Sequence, residues 1–202
     1  TIACFRELAA LGKDDKILQY ASIGFDASLF EICSAITSGA VLCIAPKSLH
    51  KDFNALYRFV ARKSLTCVLL PAAIFNSLED LPAELVSVRI LCSAGEKLHH
   101  HVRVSGQCRF FNLYGPTEDA IWTTVYEATA YEHESAIAPP IGKAIDGKNV
   151  HVRDAFDKDC LPGIPGEICI SGVGLARGYL HDDVLTAQKF VRDPSVSGGR
   201  LY

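Results

Sequence analysis

Short apolar runs, each stopped by glycine or proline, alternate with stretches of helical spacing through the first 130 residues. This alternation restricts the fold more than any other feature. Lys16 to Ser22 reads as a strand ending at Gly24. Leu29, Ile32, Cys33 and Ile36 then recur at i, i+3, i+4 and i+7, the stripe of an amphipathic helix, and Gly39 suits its C-terminal cap. Ala40 to Ala45 is a second strand, stopped by Pro46. Phe53, Leu56, Tyr57 and Val60 repeat the helical spacing, with Arg58, Arg62 and Lys63 on the wet face. Leu65 to Leu70, ended by Pro71, is a third strand; Val88 to Cys92 and Cys108 to Phe111 are two more, with a His-rich helix expected between them. Strands and helices in alternation predict an α/β fold, a parallel sheet with helices on its faces. Ligands of such sheets bind beyond the carboxyl ends of the strands. Asp26, Ala94-Gly95 and Tyr114 to Glu118 all follow predicted strands and so fall on that side.

Past about residue 130 the texture changes. Ala138-Pro139-Pro140 reads as a linker or tight turn, Asn149 to Arg153 and Glu167 to Ser171 alternate like antiparallel strands, and Asp182 to Phe190 reads as a short helix. The expectation is an α/β subdomain over residues 1–130. A smaller β-rich subdomain, a distorted barrel, follows over 131–202.

Residues 110–122, Phe-Phe-Asn-Leu-Tyr-Gly-Pro-Thr-Glu-Asp-Ala-Ile-Trp, carry the clearest chemistry. An apolar run stops at a Gly-Pro turn, and Thr117 and Glu118 follow at once, with Tyr114 and Asn112 beside them. A ring to stack on a base, a hydroxyl for a phosphate oxygen and a carboxylate for a divalent cation would suit a nucleotide, because nucleotide-bound Mg²⁺ takes one or two carboxylates plus phosphate oxygens. From spacing alone, an ordinary strand end followed by a helix-opening Thr-Glu accounts for the same residues.

Two further segments decide between these readings. Phe111 to Glu118, together with Gly24-Phe25-Asp26-Ala27-Ser28 upstream and Gly166 to Leu180 downstream, resembles the ordered core motifs of the adenylation domains of nonribosomal peptide synthetases. These domains sit within the AMP-forming acyl-adenylate ligase superfamily, and the three motifs with their intervening sequence cover nearly the whole chain. The resemblance implies attack of a carboxylate on the α-phosphorus of ATP, giving an acyl-adenylate and pyrophosphate. In that reading Thr117 bonds a phosphate oxygen and Glu118 holds Mg²⁺; Gly95, Asn112, Tyr114, Gly115 and Thr117 bind the nucleotide. Asp26 pairs with the α-ammonium of an amino acid; read bare, the same Asp is a favoured helix N-cap. The side-chain pocket is then lined by Ala27, Phe30, Leu69, Cys92, Ala94, Leu113, Ile121 and Trp122. This lining is uncharged. A buried charged group would stay unpaired there, so a small neutral amino acid is expected. Gly172, Gly174 and Gly178 of the downstream motif read as turn formers.

The resemblance also implies partners: a carrier-protein domain whose phosphopantetheine accepts the aminoacyl group, and other synthetase domains of an antibiotic or secondary-metabolite pathway. Members of the family carry a Lys-containing phosphate loop upstream, a ribose-holding Asp downstream and a C-terminal domain with a catalytic lysine. Nothing matching these occurs here, and methionine is absent even at position 1, so the chain is expected to be the central piece of a longer polypeptide, inactive alone. The alternatives are an acyl-CoA or aryl-acid ligase of the same superfamily, or a non-catalytic isolated subdomain.

Composition excludes other classes. A net charge of −3 gives no basic footprint for nucleic acid or an anionic membrane. No stretch is long and apolar enough to span a bilayer, and no Gly-x-Gly-x-x-Gly follows a predicted strand. The eight cysteines include no Cys-x-x-Cys pair, and most lie in apolar runs, so they are expected reduced and buried in a cytoplasmic protein. His99-His100-His101 is expected on a solvated helix face rather than at a metal.

Overall fold

The computed structural model describes residues 1–78, 80–104, 107–128, 137–193 and 198–202. Its centre is a seven-stranded sheet in the order β2-β1-β3-β4-β5-β6-β7. These strands are β1 (Lys16–Gln19), β2 (Val41–Ile44), β3 (Cys67–Pro71), β4 (Ile90–Ala94), β5 (Arg109–Tyr114), β6 (Thr124–Ala128) and β7 (Lys143–Ala144). β1 to β5 pair in parallel, as the alternation of strand and helix requires. The helices are α1 (Ile2–Leu8), α2 (Ala27–Ser38), α3 (Phe53–Lys63), α4 (Ala72–Asn76) and α5 (Asp183–Lys189).

The chain forms two compact units, and it passes between them more than once. The larger holds Ile2–Tyr114 and Val125–Lys143; the smaller holds Gly115–Thr124 and Ala144–Tyr202, together with Thr1. The expected boundary near 130 lies outside the described residues.

In the larger unit α3 begins where the side chain of Asp52 accepts a 2.8 Å bond from the Ala55 N–H, and it ends at Ser64 in the left-handed region. It buries Leu56, Tyr57, Phe59 and Val60 against Leu18, Val68, Leu70, Leu91 and Phe110 on one face of the sheet. On the other face, Phe5 of α1 packs edge-on against Phe30 of α2 at 4.9 Å and Phe111 of β5 at 5.8 Å. Below the sheet Arg89 ties the N-terminal loops together: its guanidinium meets the Asp15 carboxylate at 2.6 Å and the carbonyls of Ala9 and Ala10 at 2.9 and 2.8 Å.

Five expectations are corrected. The first strand stops at Gln19 rather than Ser22, because a buried carboxylate described below takes the N–H groups of Tyr20 and Ala21 out of the ladder. α2 forms, but turned over. It buries Phe30, Glu31, Ser34 and Ala35, whereas Leu29 and Ile36 of the apolar stripe are 54% and 73% exposed. The His-rich helix does not exist: the described residues between β4 and β5 form bends and turns. There the Asn76 side chain donates to the Lys97 carbonyl (2.9 Å) and accepts from the His99 N–H (2.8 Å), and the His100 ring bonds the Leu78 carbonyl at 2.7 Å. These bonds hold the backbone groups that a helix would need. His101 is buried, not solvated. All eight thiols are free, but only Cys67 and Cys92 are fully buried.

The smaller unit contains the antiparallel pair β8 (Lys148–Arg153) with β9 (Glu167–Gly172), and β10 (Val191–Arg192) with β11 (Arg200–Leu201). These are two ribbons, not a closed barrel, among the described residues. Arg153, 3% exposed, anchors them: Nη1 reaches Asp157 at 2.8 Å and Nη2 reaches Asp193 at 3.5 Å. No helix of the described residues is long and apolar enough to cross a membrane.

Candidate active site

The carboxyl ends of β1, β3 and β4 open on a cavity of about 420 Å³ in the larger unit, and its walls are largely apolar. Asp26 and Ala27 enter it from the start of α2, Leu69 from β3, and Ala94 with Gly95 from the end of β4. The register explains why the strand residues converge. Leu69 pairs with Cys92, and Cys92 with Phe111, so Leu69 and Cys92 share a sheet face. Ala94 and Leu113, each two residues on along its strand, share it too, by the two-residue period. Cys92, Leu113 and Phe30, at 0%, 3% and 0% exposure, are core residues that do not line this cavity. Gly95 takes φ +94, and nothing stands within 4 Å of where a Cβ would project. Its freedom therefore serves the backbone turn rather than a tight contact within the chain.

Asp26 opens α2 without capping it. Its own backbone is helical (φ −62, ψ −27), and its side chain makes no cap hydrogen bond. Among the described residues its half-buried carboxylate has no hydrogen-bond or ion-pair partner. An unpaired carboxylate beside an apolar cavity has the charge to pair with a cation.

Three polar groups in this wall escaped the sequence reading. Glu31, one turn beyond Ala27 and 1% exposed, accepts from the backbone N–H of Tyr20 at 3.1 Å and of Ala21 at 3.1 Å. Burial pushes its carboxyl up to about 7, against those hydrogen bonds. Glu31 thus welds α2 to the end of β1 and holds the segment leading to Asp26. Tyr20 and His50 stack with ring centroids 4.4 Å apart at the rim. A glutamate on a helix face carries no signal of such a role until the strand that it caps is known.

Asn112, 4% exposed, donates from Nδ2 to the Pro140 carbonyl at 2.9 Å. Tyr114 ends β5 and is half-buried.

The residues after β5 belong to the smaller unit. Gly115 is needed there for room: a Cβ would stand 2.6 Å from the Thr123 nitrogen and closer still to the Trp122 Cα. Thr117 and Glu118 lie in a single 3-10 turn, Thr117–Asp119, with Thr117 exposed and Glu118 half-buried. The Glu118 carbonyl accepts from the Ala176 N–H at 2.7 Å, and its Oε1 accepts from the Tyr179 hydroxyl at 2.6 Å. Burial works to raise the Glu118 pKa, but the bonds from Tyr179, its own backbone and Tyr202 outweigh it, and the carboxyl sits below the ordinary glutamate value. Glu118 is therefore an ionised oxygen donor near neutral pH. No group of three or more His, Cys, Asp or Glu among the described residues could hold a metal alone. A single carboxylate fits the kind of Mg²⁺ that brings its other ligands from phosphate and water.

Beyond the turn, Ile121 is half-buried and Trp122 2% exposed. Lys148 lies beneath them, with its side chain buried and its ammonium 3.0 Å from the Asp119 carboxylate. Burial pushes that ammonium below the ordinary lysine value, although Asp119 pulls the other way.

Comparison with known proteins places this geometry. The profile of the family described as AMP-binding enzyme matches residues 1–180. Tyrocidine synthase 1 of Brevibacillus parabrevis is 37% identical over 201 residues, which cover 98% of this chain and 18% of the synthase. An artificially fused adenylation-PCP di-domain, NpsA-ThdA of Klebsiella oxytoca, superposes with a TM-score of 0.81 at 29% identity, over 99% of this chain and 38% of its own. The Vibrio cholerae adenylation domain AlmE, solved with glycyl-adenosine-5'-phosphate, gives a TM-score of 0.81 at 26% identity, over 99% of this chain and 39% of its own. The chain thus spans less than a fifth of that curated relative and about two fifths of these solved chains.

Proposed function

The chain belongs to the AMP-binding enzyme family, in the stretch it shares with the adenylation domains of nonribosomal peptide synthetases, and from that premise we propose that it carries the substrate pocket and part of the nucleotide site of an amino-acid-activating ligase. The reaction joins an amino-acid carboxylate to the α-phosphorus of ATP and releases pyrophosphate. Such chemistry depends on positioning and charge neutralisation more than on a protein nucleophile.

One observation carries the amino-acid reading: Asp26 stands half-buried at the cavity mouth with no partner and no capping duty. An α-ammonium would complete it. A fatty or aryl acid has no group to do so and would leave the carboxylate desolvated and alone. The apolar walls set by Ala27, Leu69 and Ala94 favour a small neutral side chain; Phe30, Cys92, Leu113, Ile121 and Trp122 are assigned to the substrate by the family resemblance.

In this reading Tyr114, Gly95, Asn112 and Gly115 shape the nucleotide site and Thr117 donates to a phosphate oxygen. Glu118 holds Mg²⁺, which supplies charge neutralisation on the phosphates when bound. The aminoacyl group then passes to the phosphopantetheine of a carrier domain in a cytoplasmic synthetase. ATP–pyrophosphate exchange by the full-length protein, surveyed over the proteinogenic amino acids, tests the proposal. Exchange with glycine, alanine, cysteine or a short aliphatic residue is expected; a preference for a bulky or acidic one contradicts the pocket reading.

A further inference from the structure

The segment from Asp119 to Trp122 is bent against its own preferences. Ala120 takes φ 52 and Ile121 φ 79, and a β-branched side chain in the left-handed region is costly. Such a turn persists only where its surroundings over-determine it. Here they do so through one buried cation. Lys148, the first residue of β8 and 5% exposed, donates from Nζ to the Asp119 carbonyl, to the Trp122 carbonyl at 2.6 Å and toward the Ala120 carbonyl at 3.5 Å. The same ammonium pairs with the Asp119 carboxylate at 3.0 Å, and the other side of that carboxylate's Oδ2 takes the Thr123 hydroxyl at 2.6 Å.

Room for the pair is reserved. A Cβ on Gly174 would stand 2.5 Å from Asp119 Oδ1 and 2.6 and 2.8 Å from Lys148 Cε and Nζ. A buried ion pair is a poor source of stability, since apolar residues of similar volume often serve as well or better. What apolar residues cannot supply is three directed donors for three carbonyls of one strained turn.

We propose that Lys148 is a positioning residue: its ammonium locks the Asp119–Trp122 turn in the conformation that sets Ile121 and Trp122 for substrate selection. This rests on the pocket assignment made above for Ile121 and Trp122. Lys148 touches no substrate in this account; it acts through the turn.

The test uses Lys148→Met, which keeps length and removes the charge and donors. Trp122 is the single tryptophan of the sequence, so its emission reports the turn in this chain whether or not adenylation occurs. Lys148→Met should shift that emission to the red and lower its anisotropy while far-ultraviolet circular dichroism stays unchanged. In pyrophosphate exchange by the full-length protein, KM for the preferred amino acid should rise roughly tenfold, with kcat changing less. Should the methionine variant fail to fold, Lys148→Gln, whose uncharged amide keeps two N–H donors on one nitrogen, should fall between wild type and that loss in the same two measurements. Wild-type emission together with a wild-type amino-acid KM in a folded variant overturns the proposal. If the wild type exchanges with no amino acid, the function reading fails, and Trp122 emission still decides the role of Lys148 in the turn.

Discussion

The hydroxyl of Tyr179 donates a 2.6 Å hydrogen bond to Oε1 of Glu118, across 61 residues of chain. It aims the carboxylate assigned to Mg²⁺, while the Ala176 N–H holds the Glu118 backbone at 2.7 Å. Tyr179 lies in the downstream Gly-rich motif, whose Gly172, Gly174 and Gly178 read from sequence as turn formers. The structure gives that motif a second task, supporting the carboxylate from behind.

Tyr179→Phe removes that bond and little volume. The pair is partly exposed, so the effect is moderate: KM for MgATP in the exchange reaction should rise roughly three- to tenfold with the fold intact. A Mg²⁺ titration at fixed ATP checks it, and an unchanged KM would remove Tyr179 from the account.

Glu31 makes a signed prediction about stability. Its carboxyl is raised in the folded protein to about 7 from an ordinary 4.5, so folding favours the protonated form. The stabilising contribution is complete below pH 4.5 and is lost as pH rises through 7. Glu31→Gln does not titrate. Relative to wild type it should gain about 3 kcal/mol between pH 4.5 and pH 8. Urea denaturation of both proteins at the two pH values measures the difference; parallel curves would mean that burial does not hold Glu31 protonated.

Gly115 sits in the motif assigned to nucleotide binding, yet the structure shows a packing reason for it. A methyl group there would press on the backbone at Trp122 and Thr123, which cannot yield as a flexible side chain can. Gly115→Ala should therefore cost roughly 2–3 kcal/mol of stability, read as a lowered denaturation midpoint. A fully stable alanine variant that fails only to bind nucleotide would show that Gly115 serves the ligand instead.

How much was legible depends on the kind of signal. The parallel α/β core follows from period and punctuation: apolar runs at β3, β4 and β5 and the stripe of α3 carry it outright. α2 shows where period misleads. Its apolar stripe faces out and a glutamate faces in, because Glu31 is satisfied by strand-end N–H groups that no spacing rule foresees. The His-rich segment failed as a helix for a similar reason, since the Asn76 amide, 21 residues from Lys97, claims its backbone. Motif residues were nominated as a set through resemblance. Lys148 and Tyr179, which support them, were not, because each acts on a residue tens of positions away.

The central claim is that Asp26 receives the ammonium of an amino-acid substrate, and one paired measurement bears on it most directly. ATP–pyrophosphate exchange by the full-length protein is followed with the preferred amino acid and with its des-amino analogue, for wild type and for Asp26→Ala. The account predicts exchange with the amino acid alone in wild type, and at least a hundredfold loss in Asp26→Ala, in keeping with the roughly 3 kcal/mol or more of a desolvated charge pair. Equal turnover of the des-amino acid by wild type, or undiminished amino-acid exchange by Asp26→Ala, would contradict it and leave Asp26 as no more than the first residue before a helix.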